Sequence, residues 1–276
     1  MSLKEPVHRA EDKEPSSSQD LERHTGAPWR SLSRAIAKKA IIALVFLAIW
    51  WVITGTRILP AFAVPGPLAV ANATKSSLHE IFSQSLVTVE RVVIAVAVIW
   101  FIGALCGILV GMNPRLWPLL GLGRALYAVP IVVVYPLLGV WFGVGATSKI
   151  VFGIISGILP MSLMSAAAVR SIDENVFLLF ASLGVSRTTM FRRAVLPAAL
   201  PGVISAMRLS GSLGLVSVVV GEMLLSGNGI GYWIANAGAQ FEGPSLYEGI
   251  IVVLIFAVLM NSFVGFLERR IAVAYG

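Results

Sequence analysis

Apolar and polar positions alternate along this chain on a long scale. Six apolar runs, at about 35–54, 86–112, 118–142, 148–169, 201–225 and 247–268, leave most of the charge to the residues outside them. A helix needs about 20 apolar residues to cross a bilayer. The pattern therefore predicts an all-α polytopic membrane protein with six transmembrane helices. Pro130 and Pro136 interrupt the third run. They predict a kinked helix that faces other helices, because neighbours must satisfy the carbonyls a proline frees. Before the second run, residues 57–85 carry a turn signal and then an amphipathic pattern, which predicts a helix lying outside the membrane. Residues 226–247 have no basic side chain and include Tyr232 and Trp233, as expected of an interfacial helix.

Composition agrees with this pattern. Charged residues make up 13% of the chain, against about 25% in an ordinary soluble domain, and mean hydropathy is +0.86. Residues 1–28 differ from the rest, with Lys4, Arg9, Lys13 and Arg23 against Glu5, Glu11, Asp12, Glu14, Asp20 and Glu22. So little apolar surface predicts a disordered tail over 1–34, followed by a transmembrane domain over 35–276. "AFA" at 61–63 resembles a signal-peptide cleavage site, but about 35 partly acidic residues precede the first run, unlike a short basic leader.

Basic residues also orient the chain. Arg30, Arg34, Lys38, Lys39, Arg115, Arg124, Arg170, Arg187, Arg192, Arg193, Arg269 and Arg270 fall on the side of the termini, and Arg57, Lys75, Arg91 and Lys149 fall on the other. The positive-inside rule predicts cytoplasmic termini. Cations placed between apolar runs explain a pI near 9.9 without nucleic-acid binding.

Residues 171–197, "SIDENVFLLFASLGVSRTTMFRRAVLP", form the most informative polar segment. Ser171 and Glu174 have capping-box spacing, and Asp173 and Glu174 lie where a helix dipole favours negative charge. A helix over 172–183 is expected, ended by Gly184 in the left-handed conformation. Ser186 is placed to cap a second, short helix with Met190, Phe191, Ala194 and Val195 on one face and Thr189, Arg192 and Arg193 on the other. Pro197 is expected to end it. Arg187 opposes the dipole in the first turn, which suggests an acidic partner elsewhere.

This segment resembles the cytoplasmic loop of bacterial ATP-binding cassette importer permeases, in which Glu-Ala-Ala is followed by three residues, Gly, nine residues, Ile, any residue and Leu-Pro. Gly184, Leu196 and Pro197 keep that spacing, while Leu178, Leu179 and Phe180 replace Glu-Ala-Ala and Ala194 replaces Ile. "VWFGVGATSKI" at 140–150, "RAVLPAALPG" at 193–202 and "VVVGEMLLSGNGIGYWI" at 218–234 are similar to the nitrate, sulfonate and taurine branch. The resemblance implies a type I importer permease of the bacterial inner membrane, carrying a small solute such as nitrate, a sulfonate or a taurine-like anion. It also implies a second copy of the chain, two separate ATPase subunits that bind ATP and Mg, and an extracytoplasmic solute-binding protein. Asp173, Glu174, Phe180, Gly184, Arg187, Met190, Phe191, Arg192, Leu196 and Pro197 would form the ATPase-coupling element. No Gly-x-x-x-x-Gly-Lys-Ser/Thr occurs, so hydrolysis would belong to the partner.

Few other residues suggest chemistry. Arg91, Arg208 and Glu222 are charges within or at the ends of spans, where pairing or a pathway role is expected. Gly103, Gly107 and Gly111, and likewise Gly153 and Gly157, have the spacing that lets helices approach closely. Cys106 is the only cysteine, and His8, His24 and His79 are far apart, so no metal site or catalytic set is indicated. Span centres nearly free of ionisable residues weigh against an ion-gradient transporter. A purely structural membrane subunit is the other alternative.

Overall fold

A computed structural model describes residues 41, 44–45, 47–56, 60 and 62–275, with only the backbone described for Ala181, Arg187 and residues 272–275. The tail expected over 1–34 and much of the first span lie outside the described residues. The chain divides into two units, Met1–Thr56 and Arg57–Gly276. In the first, the described positions from 41 to 55 are helical and mostly exposed.

The second unit is all helical among the described residues. Helix α1 runs over Pro67–Met112, 46 residues in all, or about 70 Å at 1.5 Å per residue. The outer helix expected within 57–85 and the second span form one continuous helix. No glycine or proline interrupts residues 68–102, so nothing in the local sequence ends the helix. The excess over the about 30 Å hydrocarbon core projects beyond the bilayer. A π-helical turn, Ile99–Gly103, interrupts its hydrogen-bond register.

The third apolar run forms two helices, α2 (Pro118–Tyr127) and α3 (Tyr135–Phe142). Pro114–Tyr127 and Ile131–Phe142 are bent by 77°, so the run is broken and not merely kinked. Pro130 lacks an amide donor and excludes the preceding residue from the α region, so the helix ends before it. Next come α4 (Ala146–Arg170), α5 (Glu174–Ser182), α6 (Leu196–Leu224), α7 (Ile230–Ala239) and α8 (Gly243–Tyr275).

The glycine rows act as expected. A side chain at Gly107 would lie 2.3 Å from the Ser162 carbonyl oxygen of α4, and one at Gly157 would lie 2.8 Å from that of Ser210 in α6. Helix α4 is thus packed backbone-close against both α1 and α6. Its long side chains fill the remaining core, where Ile99, Met161, Val169, Val195 and Ala206 are fully buried.

Candidate functional site

The turn at Gly184 closes one end of this bundle. Ser171 remains helical (φ −80°, ψ −5°) and its hydroxyl donates to the Ala168 carbonyl, 2.9 Å away, so it cannot cap the next helix. Asp173 does so instead: its Oδ1 accepts from the Asn175 amide at 2.9 Å. The expected Ser171–Glu174 box is therefore replaced by an Asp cap, with Asp173 and Glu174 exposed at the positive end of the dipole. Gly184 has φ +62°, as expected, and the Val185 amide donates to the Phe180 carbonyl in a Schellman closure. Ser186 Oγ accepts from the Thr189 amide at 3.3 Å.

The second helix does not stop at Pro197. Arg187–Met190 continues through a π turn, Phe191–Val195, into α6. Pro197 lies directly after the π turn inside this continuous helix, and its missing amide interrupts the hydrogen-bond ladder there. Met190 and Phe191 pack, with Ile172 and Phe177, against the chain's own core. Leu178, Leu179 and Leu183 turn outward at 61, 57 and 67% exposure. Arg192 and Arg193 are exposed nearby in sequence, while Phe180, Leu196 and Pro197 are half-buried. The turn thus has an apolar outer face on an anchored base.

A buried ion pair lies at the opposite end of α4 and α6. Arg91 of α1 and Glu222 of α6 meet at 2.7 Å with side chains 6 and 0% exposed. Glu222 also accepts from the Thr88 hydroxyl at 2.8 Å and the Gly231 amide at 3.0 Å. Arg91 donates further to the Asn228 carbonyl and side-chain oxygens. Gln84 and Thr88 accept from the amides of Gly229 and Ile230. Helix α7 begins with a glycine that offers no side-chain cap. Its first amides are instead capped across space by residues of α1 and α6. Nearby, buried Lys149 donates to the carbonyls of Val144 and Gly145, and Tyr135 donates to that of Gly221 at 2.7 Å.

Arg208 is elsewhere. On α6 it pairs with Glu268 of α8 at 2.6 Å, with side chains 47 and 52% exposed. The structure therefore joins Arg91 to Glu222, separates both from Arg208, and keeps all three away from the 171–197 turn.

Residues 101–273 match the family of binding-protein-dependent transport system inner membrane components. This chain belongs to that family. It is a multi-pass permease subunit of an ATP-binding cassette importer in the inner membrane, without catalysis of its own. It is 29% identical over 240 residues to a putative aliphatic sulfonates transport permease protein of Bacillus subtilis, covering 85% of this chain and 86% of the relative. It is 26% identical over 257 residues to a taurine transport system permease protein of Escherichia coli, covering 90 and 94%. A bicarbonate transport system permease protein of Synechococcus elongatus is 26% identical over 258 residues, covering 88 and 92%. An inward-facing structure of the MetNI methionine ABC transporter shares the fold, with a TM-score of 0.60 over 69% of this chain and 95% of that one, at 15% identity.

Sequence reasoning missed several of the permease's polar contacts. Gln84, Thr88 and Arg91 stand at i, i+4 and i+7, one helical face, and that spacing was available as a signal. Glu268 gave none, because its partner lies 60 residues away.

Proposed function

We propose that this permease carries a small solute bearing an oxyanion group, of the sulfonate, taurine, nitrate or bicarbonate kind, delivered by an extracytoplasmic binding protein. The relatives named for such solutes match it over most of its length, which supports this class. Two copies of the chain would enclose the pathway at a two-fold axis. ATP and Mg would be bound by two partner ATPases on the cytoplasmic side, where the excess of basic residues also places the termini and the Gly184 turn.

The coupling reading rests on one observation: Leu178, Leu179 and Leu183 are exposed on a short helix closed at both ends, while Met190 and Phe191 fix the following turn to the core. Movement of a docked ATPase would pass through that turn into α4 and α6. Apolar leucines at two of the three Glu-Ala-Ala positions favour an apolar groove on the partner. Arg187, Arg192 and the acidic first turn at Asp173 and Glu174 would flank it.

The test is reconstitution in liposomes with a partner ATPase and binding protein from the same organism. ATP-dependent uptake is expected, and uptake driven by a proton gradient without nucleotide would refute the reading. Leu178→Ser with Leu183→Ser should abolish ATPase co-purification and leave the permease's own melting temperature nearly unchanged. Retained co-purification would remove this turn from the interface.

A further inference from the structure

The two helices that carry Arg208 and Glu268 hold more polar residues on the same side. On α6, Ser205, Arg208 and Ser212 stand at i, i+3 and i+7; on α8, Asn261, Gly265 and Glu268 stand at i, i+4 and i+7. Each set occupies one helical face. The two faces meet, because a side chain at Gly265 would lie 3.8 Å from Arg208 Nη2, and Arg208 pairs with Glu268. Helix α8 runs antiparallel to α6 in the permease's topology, so Ser212 and Asn261 both lie outward of the Arg208–Glu268 pair, four and seven residues beyond it on their own helices. Ser205, Arg208, Asn261 and Glu268 are exposed and Ser212 is half-buried.

Depth makes this stripe unsuitable for lipid. Counted from Pro201, the inner end of the apolar run, Arg208 lies seven residues in and Ser212 eleven, about 10 and 16 Å at 1.5 Å per residue. Asn261 lies seven residues, about 10 Å, from the inner end of the last run at Glu268. An arginine and a glutamate at a span's end can reach headgroups. Asn261 and Ser212 cannot. Their hydroxyl and amide donate to their own helices, Ser212 to the Arg208 carbonyl at 3.0 Å and Asn261 to that of Ala257 at 3.2 Å. These bonds leave polar edges facing outward. The neighbouring surface of α8 is apolar, with Ile255 and Phe266 about half exposed. The inner part of one exposed face of α8 is thus polar, while the same face farther out is apolar at Leu254 and Val258 and the next face is suited to lipid.

We propose that Ser205, Arg208, Ser212, Asn261 and Glu268 line the aqueous pathway through which the solute crosses. This rests on the permease reading above. The paired guanidinium and carboxylate present equal and opposite charge, so the wall orients a small zwitterion or anion without holding it in a deep electrostatic well. Passage through the stripe needs loose contacts, and a lone arginine there would retain the solute.

The experiment uses the whole importer complex in nanodiscs, with Cys106→Ala as background and ATP-dependent uptake by the same complex in liposomes confirmed first. Absence of uptake at that stage counts against the permease reading and not against the stripe. Single cysteines at Ser205, Ser212 and Asn261, and at Ile255 and Phe266 as controls, are then treated with a charged, membrane-impermeant thiol reagent. At least tenfold faster labelling of Ser212→Cys and Asn261→Cys than of the two controls is expected, with protection by transported solute. Equal, slow labelling at all positions would place the stripe against lipid and overturn the proposal. Unlabelled stripe cysteines that instead cross-link between copies would make it a dry contact between protomers, also overturning it.

Discussion

Among the described residues two arginine–glutamate pairs join helices of this permease, at nearly the same separation, and almost everything else about them differs. Arg91 and Glu222 are buried at 2.7 Å, and every hydrogen bond around them fixes α1, α6 or the start of α7. Arg208 and Glu268 meet at 2.6 Å with about half of each side chain exposed. The distance between the charges is therefore uninformative by itself; the surroundings decide what each pair does. A buried pair held by several fixed hydrogen bonds and closed off from solvent is out of a solute's reach, and losing one member leaves a buried charge without its counter-ion. An exposed pair has solvation to fall back on and donors free to exchange.

The largest expected effect follows from this difference. Glu222→Ala leaves the Arg91 guanidinium buried without its counter-ion and the Gly231 amide without its acceptor, and should destabilise the permease by about 3–5 kcal/mol. Glu268→Ala should cost no more than about 1 kcal/mol. Thermal unfolding of the two purified variants, side by side, measures the contrast, and equal losses would erase it. Somewhat smaller is the effect of Gly231→Ala. Its new methyl group would lie 2.1 Å from the Val219 carbonyl oxygen and 2.6 Å from Glu222 Cβ, so α7 must move off α6. Overpacking of this kind costs about 1–3 kcal/mol. Proteolysis between α6 and α7 should speed up in that variant relative to the parent.

Exchanging the charges sharpens the comparison further. With Arg91→Glu and Glu222→Arg together, the amide of Gly231 and the hydroxyl of Thr88 would point their protons at a cation. The swap should fail to restore the melting temperature lost in either single variant. With Arg208→Glu and Glu268→Arg, no fixed donors surround the site, and the double variant should melt within a few degrees of the parent. Restoration at the buried pair would mean that charge alone, and not the donor geometry around Glu222, holds the outer ends together.

Much of this architecture is legible in the chain, and the exceptions share a cause. Apolar periodicity identifies the spans because crossing a bilayer is a local requirement on about 20 residues. Gly184 is legible for a similar reason, since its φ of +62° is a local demand. Capping by Asp173 in place of Ser171 was not, because it depends on whether residue 171 is still inside α4. Partner choice is less legible still. Arg91 and Glu222 are 131 positions apart, and Arg208 and Glu268 are 60 apart, so only the folded bundle says which arginine takes which glutamate. At the 171–197 turn the apolar pattern of 190–195 was readable. The sequence did not tell that its face turns inward while Leu178, Leu179 and Leu183 turn outward.

The smallest expected effect concerns the environment of the two pairs. A double-mutant cycle with Arg208→Ala and Glu268→Ala should give a coupling of about 0.2–1 kcal/mol. If water reaches that pair, mobile ions reach it too. The screening length falls from about 10 Å at 0.1 M salt to about 3 Å at 1 M, so the coupling should shrink measurably across that range. The corresponding cycle at Arg91 and Glu222 should be insensitive to salt, because no ion can approach a pair with 6 and 0% exposure. A lipid-covered Arg208–Glu268 pair would behave like the buried one. Salt dependence of the two cycles thus tests, by equilibrium measurement and without any thiol chemistry, whether the stripe on α6 and α8 is wet.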